Sequence, residues 1–208
     1  MTVDHIPPDC LFSQRPVDIV EVPSCWRCNN DASRDDEYFK TMMVLKDKAG
    51  SHPEAAAIRD SVFRGLNNPR KIGFARAVVR SIRKVPVRTA TGLHAGTAAA
   101  FDVDLARLDR VVERVTKGLF WRHRGYRLPA NFVVRSYSEE GLRGVDSETM
   151  DSIRTVVEPV LRQPINSVGD GVLNYWFAYA TDEPDASAWV FEFYKDVRFA
   201  ALTVRVGA

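Results

Sequence analysis

The last forty residues constrain the fold more than any other part of the chain. Residues 171–181, 188–195 and 197–206 are strand-length runs rich in apolar and aromatic side chains, separated by Asp182-Glu183-Pro184-Asp185 and by a tight turn near Lys195-Asp196. Runs of this kind suit strands, and breaks this short favour pairing between neighbours in sequence. The pattern predicts a C-terminal antiparallel β-meander. Its Trp and Tyr residues between 172 and 194 fall at strand spacing, which points to core packing before base stacking.

Upstream the apolar period becomes helical. Ser33 followed by Asp36 and Glu37 signals a helix start, the hydroxyl accepting a free amide and the acids suiting the positive end. That helix runs to about Lys46, with Tyr38, Met42 and Leu45 on one side. A second fits His52 to Leu66 and stops at Asn67-Asn68-Pro69. The third, Pro69 to about Lys84, has Ile72, Ala75, Val79 and Ile82 at core spacing and Arg76, Arg80, Arg83 and Lys84 on another face. Val85 to Val103 suits two strands around a Gly92–Gly96 turn.

Asp104 then caps a helix to Leu119, with Leu105, Leu108, Val112, Val115 and Leu119 inward and Arg107, Arg110, Arg114 and Lys117 on its other side. Asn131 to Tyr137 reads as a strand, and a helix starting at Asp146 is bent by Pro159. The fold class is therefore α+β: a short N-terminal motif over 1–48, then an α+β body over 49–208. With 208 residues, 45% of them hydrophobic, the chain can bury a sizeable core.

Net charge selects no partner, since 29 Lys and Arg meet 27 Asp and Glu for a formal +2. The two arginine faces are solvated helix surfaces, or a phosphate-binding surface if both turn to the same side. No apolar run approaches the ~18–20 residues of a membrane span, and MTVDHIPPDC has no basic segment leading into an apolar one. The expectation is a cytoplasmic protein with no membrane partner. In a reducing compartment, Cys25-x-x-Cys28 reads as a metal knuckle or a redox pair.

Residues 1–32 are rich in turn formers, Pro7, Pro8, Pro16, Pro23 and Asn29-Asn30-Asp31, with one apolar stretch, Val17 to Val22, long enough for a strand. Three segments stand out: Asp4-His5-Ile6-Pro7-Pro8, Val22-Pro23-Ser24-Cys25-Trp26-Arg27-Cys28-Asn29-Asn30, and Ser33-Arg34-Asp35-Asp36-Glu37-Tyr38-Phe39. Together they resemble the His-Asn-His (HNH) endonuclease family. The resemblance implies a ββα-metal motif with His5 as general base and Asp4 and Asn29 as ligands of Mg²⁺ or Mn²⁺. Asn30 is a weaker stand-in for Asn29. Imidazole suits the base because its ordinary pKa, about 6.5, leaves a neutral fraction at pH 7, and oxygen ligands suit a hard cation.

The match is partial. The family's first Cys-x-x-Cys precedes its Asp-His pair, whereas here only Met1, Thr2 and Val3 do. The Gly-Gly turn after the proline and the middle Asn are missing, with Asp18 near where that Asn would fall. Either the true start lies upstream of Met1, or the motif has decayed. Cys10 and His5 would complete a Cys₃His zinc set with Cys25 and Cys28, consuming the base; alternatively the thiol pair holds no metal. Segments 114–129 and 189–199 resemble parts of long bacterial HNH-type proteins, with no residue role attached.

Two functions follow. One is a nuclease hydrolysing DNA phosphodiester bonds; the other is a catalytically silent nucleic-acid-binding or interaction protein keeping the motif as scaffold. Arg76, Arg80, Arg83 and Lys84 are the candidate nucleic-acid contacts in either.

Overall fold

The three C-terminal segments fold as the antiparallel strands expected of them. In a computed structural model of the chain, β5 (Phe132–Ser138), β6 (Asn166–Val168), β7 (Leu173–Tyr179), β8 (Ser187–Phe193) and β9 (Val197–Arg205) form one antiparallel sheet in the order β5-β9-β8-β7-β6. The structure describes every residue except 1, 47, 48, 70, 71, 90, 143, 144 and 208, and not the side chains of Cys28 and Glu140. The pairs Tyr175↔Phe191, Phe177↔Trp189 and Phe191↔Phe199 line up one face of the sheet. Trp189, Phe191, Phe193 and Phe199 are buried there, each such side chain stabilising the fold by roughly 1.5–3 kcal/mol.

By compactness the chain divides into two units. The larger comprises Met1–Arg59 and Leu105–Ala208, and the smaller comprises Asp60–Asp104. The larger begins with a hairpin, β1 (Thr2–Ile6) and β2 (Val20–Ser24), followed by α1 (Trp26–Leu45). The hairpin pairs His5 with Glu21 and Asp4 with Val22. Further on, α2 (Pro53–Leu66) crosses the boundary between the units. α4 (Leu105–Arg124) buries Leu108, Val112, Val115 and Leu119, the inward set its period predicts, with Leu105 half-buried.

α1 and α4 pack together, and both reach the aromatic face of the sheet. Phe39 of α1 meets Phe193 edge-on at 4.9 Å. His123 near the end of α4 lies 4.2 Å from the Phe177 ring. A Cβ at Gly118 would stand 2.6 Å from Cγ1 of Ile6, so only glycine lets α4 approach β1 this closely. The short α5 (Glu139–Leu142) follows β5. α6 (Ser147–Leu161) lies against β7 and β8; its cap Asp146 accepts the Thr149 amide at 2.9 Å, and Pro159 falls in its last turn.

Two boundaries in this unit differ from the sequence expectation. α1 starts at Trp26 instead of Ser33, taking in Asn29-Asn30-Asp31. There the Ser33 hydroxyl donates to the Asn30 carbonyl at 2.8 Å, a bond made inside a helix instead of a cap. β2 covers Val20–Ser24 instead of Val17–Val22, and Val17 is exposed. Pairing fixes this register: opposite Asp4 the inward position belongs to Val22, which is buried.

The smaller unit contains α3 (Ile72–Ser81) and a two-stranded ribbon, β3 (Arg83–Arg88) with β4 (His94–Ala100). The helix therefore ends before Arg83 and Lys84, which sit on a strand. Its inward side also differs from expectation. Ile72, Val79 and Ile82 are exposed, while Phe74, Ala75 and Val78 are half-buried. Apolar residues run around most of this helix, so two faces fit the same period, and packing selected the one holding Phe74 and Val78. No described helix is long and apolar enough to cross a membrane.

Candidate active site

Strand alternation and one side-chain tether build the cleft. On β1, Asp4 and Ile6 are buried, while His5 takes the opposite side of the strand. The open edge of β1 would leave the Val3 carbonyl unpaired. Asn29, in the first turn of α1, donates its Nδ2 to that carbonyl at 2.9 Å. Because a carbonyl only accepts, the bond fixes which way the carboxamide is turned and leaves Oδ1 as its other polar atom. Residues 26 positions apart thus meet beside the Asp-His pair.

The resulting cleft has a volume of about 390 Å³. Val3, Asp4, His5, Asp9, Cys10, Asn29, Asp36 and Glu37 are among its walls. Four of the residues singled out in the sequence, Asp4, His5, Asn29 and Cys10, are therefore brought together. Cys25 is exposed at the foot of α1 and does not line the cleft. Cys28 has its backbone in α1, and its side chain lies outside the described residues. Arg76, Arg80, Arg83 and Lys84 belong to the smaller unit.

Both imidazole nitrogens of His5 face carboxylates. Nδ1 is 3.1 Å from Oδ2 of Asp9, and Nε2 is 3.6 Å from Oε1 of Glu21, its partner across the hairpin. Asp9 is held in turn by Arg15. Asp4 accepts the amide of His5 on Oδ1 at 2.9 Å, and its Oδ2 lies 3.3 Å from Nε of Arg114. That Nε has no hydrogen-bond partner among the described residues, so its link to Asp4 is attraction of charge without an aligned bond. The same guanidinium bonds Asp36 through Nη2. Arg114 of α4 thereby joins carboxylates from β1 and α1.

Burial pushes the Asp36 carboxyl above its ordinary range, and the charges of Asp4 and Asp35 push it the same way against the pull of Arg114. Asp35 behaves oppositely: its hydrogen bond with Arg110, helped by Arg107, holds it below the ordinary range. Cys10 is pushed up to about 12, first by burial and then by the charge of Asp36. Its thiol donates to the Asp36 carbonyl at 3.5 Å. At neutral pH it is therefore a protonated thiol in the metal-free chain.

The donors suit a hard cation better than a bare phosphate. Asp4, Asp9, Asp36 and Glu37 supply four carboxylates, and Arg15, Lys40 and Arg114 are the cations that pair with them. The Asn29 carboxamide adds a neutral oxygen. Among the described residues, no group of three or more His, Cys, Asp and Glu side chains is arranged to hold a metal ion.

Sequence reasoning missed Arg114, Asp36, Asp9 and Glu21. Arg107, Arg110 and Arg114 were expected on a surface, yet Arg107 and Arg110 hold Asp35, with Nε distances of 2.8 and 2.6 Å. A usable signal was present. Three arginines repeat at three and four residues, and an Asp-Asp pair occurs on another helix, a match of charge across two packed helices. Compared with protein-family models, curated proteins and solved structures, the chain matches none of them.

Proposed function

We propose that this cleft is a metal-dependent phosphodiesterase site of the HNH type acting on DNA, with His5 as general base and Asp4 and Asn29 as ligands of Mg²⁺ or Mn²⁺. The observation that carries the reading is the 2.9 Å bond from Asn29 to Val3, which fastens a neutral oxygen donor beside Asp4 and His5. A proton on Nδ1 directed at Asp9 leaves Nε2 to accept the proton of the attacking water. As the water oxygen bonds to phosphorus, the bond to the leaving ester oxygen breaks. Glu21, 3.6 Å from Nε2, then stabilises the imidazolium. A bound cation would supply positive charge where the phosphate gains negative charge, and the oxygens of Asp4 and Asn29 would hold it.

The silent alternative has its own support. Arg114 already gives Asp4 and Asp36 a cation from within the chain, so these carboxylates have a structural role of their own. Cys10 lines the cleft and Cys25 does not, so the two are not brought together as ligands of one zinc.

Supercoiled plasmid with Mg²⁺ or Mn²⁺ separates the two readings. The nuclease reading expects nicking that drops about 10²–10⁴-fold in His5→Ala, the usual contribution of a general base. Failure of both cations to support nicking, or equal cutting by His5→Ala, leaves the silent reading.

A further inference from the structure

The smaller unit carries a charge excess that the whole-chain balance conceals. Of the 29 Lys and Arg and 27 Asp and Glu in the chain, residues 60–104 hold eight basic and three acidic, a local net charge of +5 against −3 for the remainder. No acidic residue lies between Asp60 and Asp102. Among the described residues, Arg83 has a carboxylate partner in Asp102, while no carboxylate pairs with Arg76, Arg80, Lys84 or Arg88.

The ribbon displays part of this charge on one open face. Alternation along β3 puts Arg83, Val85 and Val87 on one side and Lys84, Pro86 and Arg88 on the other. Opposite the second set stand Ala99, Thr97 and His94. All six residues of that face are exposed, whereas Val85, Gly96 and Ala100 on the reverse are half-buried. The register shifts between Val87 and Arg88, and Gly96 there has φ +131°, a bulge of the kind that increases twist.

We infer that this ribbon face docks on duplex DNA, with Lys84 and Arg88 contacting phosphates and α3, through Arg76 and Arg80, adding to the same field. Lys84 and Arg88 are four strand positions apart, roughly 13 Å. The major groove is about 12 Å wide and admits a two-stranded ribbon, so the two cations can face phosphates on its opposite banks. The small side chains of Ala99 and Thr97 between them allow close approach. Duplex DNA fits better than single strands, because the ribbon has no Phe, Tyr or Trp on which bases would stack. It fits better than duplex RNA, whose major groove is deep and narrow, and better than a lipid surface, because this face has no large apolar side chain to insert.

The inference shares a partner with the proposed nuclease but needs no cutting. Its test is therefore run on the full chain in EDTA, by fluorescence anisotropy with a labelled mixed-sequence 20-base-pair duplex across a NaCl series. The expected result is binding that weakens with salt. Lys84→Glu/Arg88→Glu should weaken it at least 10-fold at fixed salt, while Lys84→Ala/Arg88→Ala lowers the salt slope by about 2, one per phosphate contact. Wild-type protein that binds the duplex yet nicks plasmid with neither Mg²⁺ nor Mn²⁺ counts against the nuclease reading alone. A thermal melt matching wild type shows that the charge-reversed ribbon is folded; if it is not, the alanine pair carries the same test. Wild-type protein that fails to bind the duplex, variants that bind unchanged, or binding to phosphatidylserine vesicles in place of the duplex would each overturn the inference.

Discussion

Two arginine-bearing helices that look alike in sequence have opposite fates. On α4, Arg107, Arg110 and Arg114 close on Asp35, Asp36 and Asp4, joining that helix to α1 and to the strand carrying His5. On α3, Arg76 and Arg80 have the same spacing and no carboxylate partner among the described residues. The period of a basic face thus says which residues share a side. What that side does depends on whether acids lie opposite. The first set is part of the fold; the second faces no carboxylate among the described residues.

The strongest way to break this comparison is to remove Arg114. Arg114→Met leaves Asp4 and Asp36 largely buried with no cation, and a partly buried pair broken this way costs about 3 kcal/mol. The loss should depend on pH. The Asp36 carboxyl is raised in the folded protein, so its contribution favours folding while protonated and turns unfavourable as pH rises through the folded value. Removing the one cation that opposes the shift enlarges this effect. Urea unfolding should therefore show a larger deficit at pH 7 than at pH 4.5; equal deficits would mean that Arg114 acts by packing alone.

Asp35→Asn gives a smaller effect of opposite pH sense. Asp35 is depressed by Arg110 and Arg107, so its contribution is present above the ordinary carboxylate range and disappears as pH falls through the folded value. Because Arg110 is more than half exposed, screening limits the expected loss to about 1 kcal/mol at pH 7. That loss should fade toward pH 3 in the same unfolding experiment, and a deficit that persists there would point to a cause other than charge.

The least effect belongs to α3. Arg76→Glu/Arg80→Glu should change stability by no more than about 0.5 kcal/mol, as surface substitutions do. A melting-point drop comparable to that of Arg114→Met would show that these arginines have a structural partner after all and erase the contrast.

Where a single period admitted a single inward face, the sequence was a reliable guide. α4 follows its apolar period because that period leaves one inward face, whereas the C-terminal strands follow strand-length apolar runs set off by turn formers, with β8 buried on both faces. α3 did not, since its apolar residues surround the helix and only packing against Phe74 and Val78 decides its orientation. The hairpin and helix at the N-terminus were expected in order from Asp4-His5 and Cys25-x-x-Cys28-Asn29, but not their contents. Asn29 was expected beside the Asp-His pair; nothing local reveals that its amide is held by the Val3 carbonyl. Nor can one helix's sequence reveal that Arg114 faces a strand more than a hundred residues earlier.

Manganese binding tests the cleft most directly, because it requires neither the right DNA nor a completed reaction. Electron paramagnetic resonance of Mn²⁺ titrated into the metal-free chain should show one ion bound per molecule. Binding should weaken sharply in Asn29→Ala, with its unfolding midpoint followed in parallel to confirm a folded chain. No bound Mn²⁺ in the wild type, or the same affinity once the Asn29 oxygen is gone, would contradict the assignment.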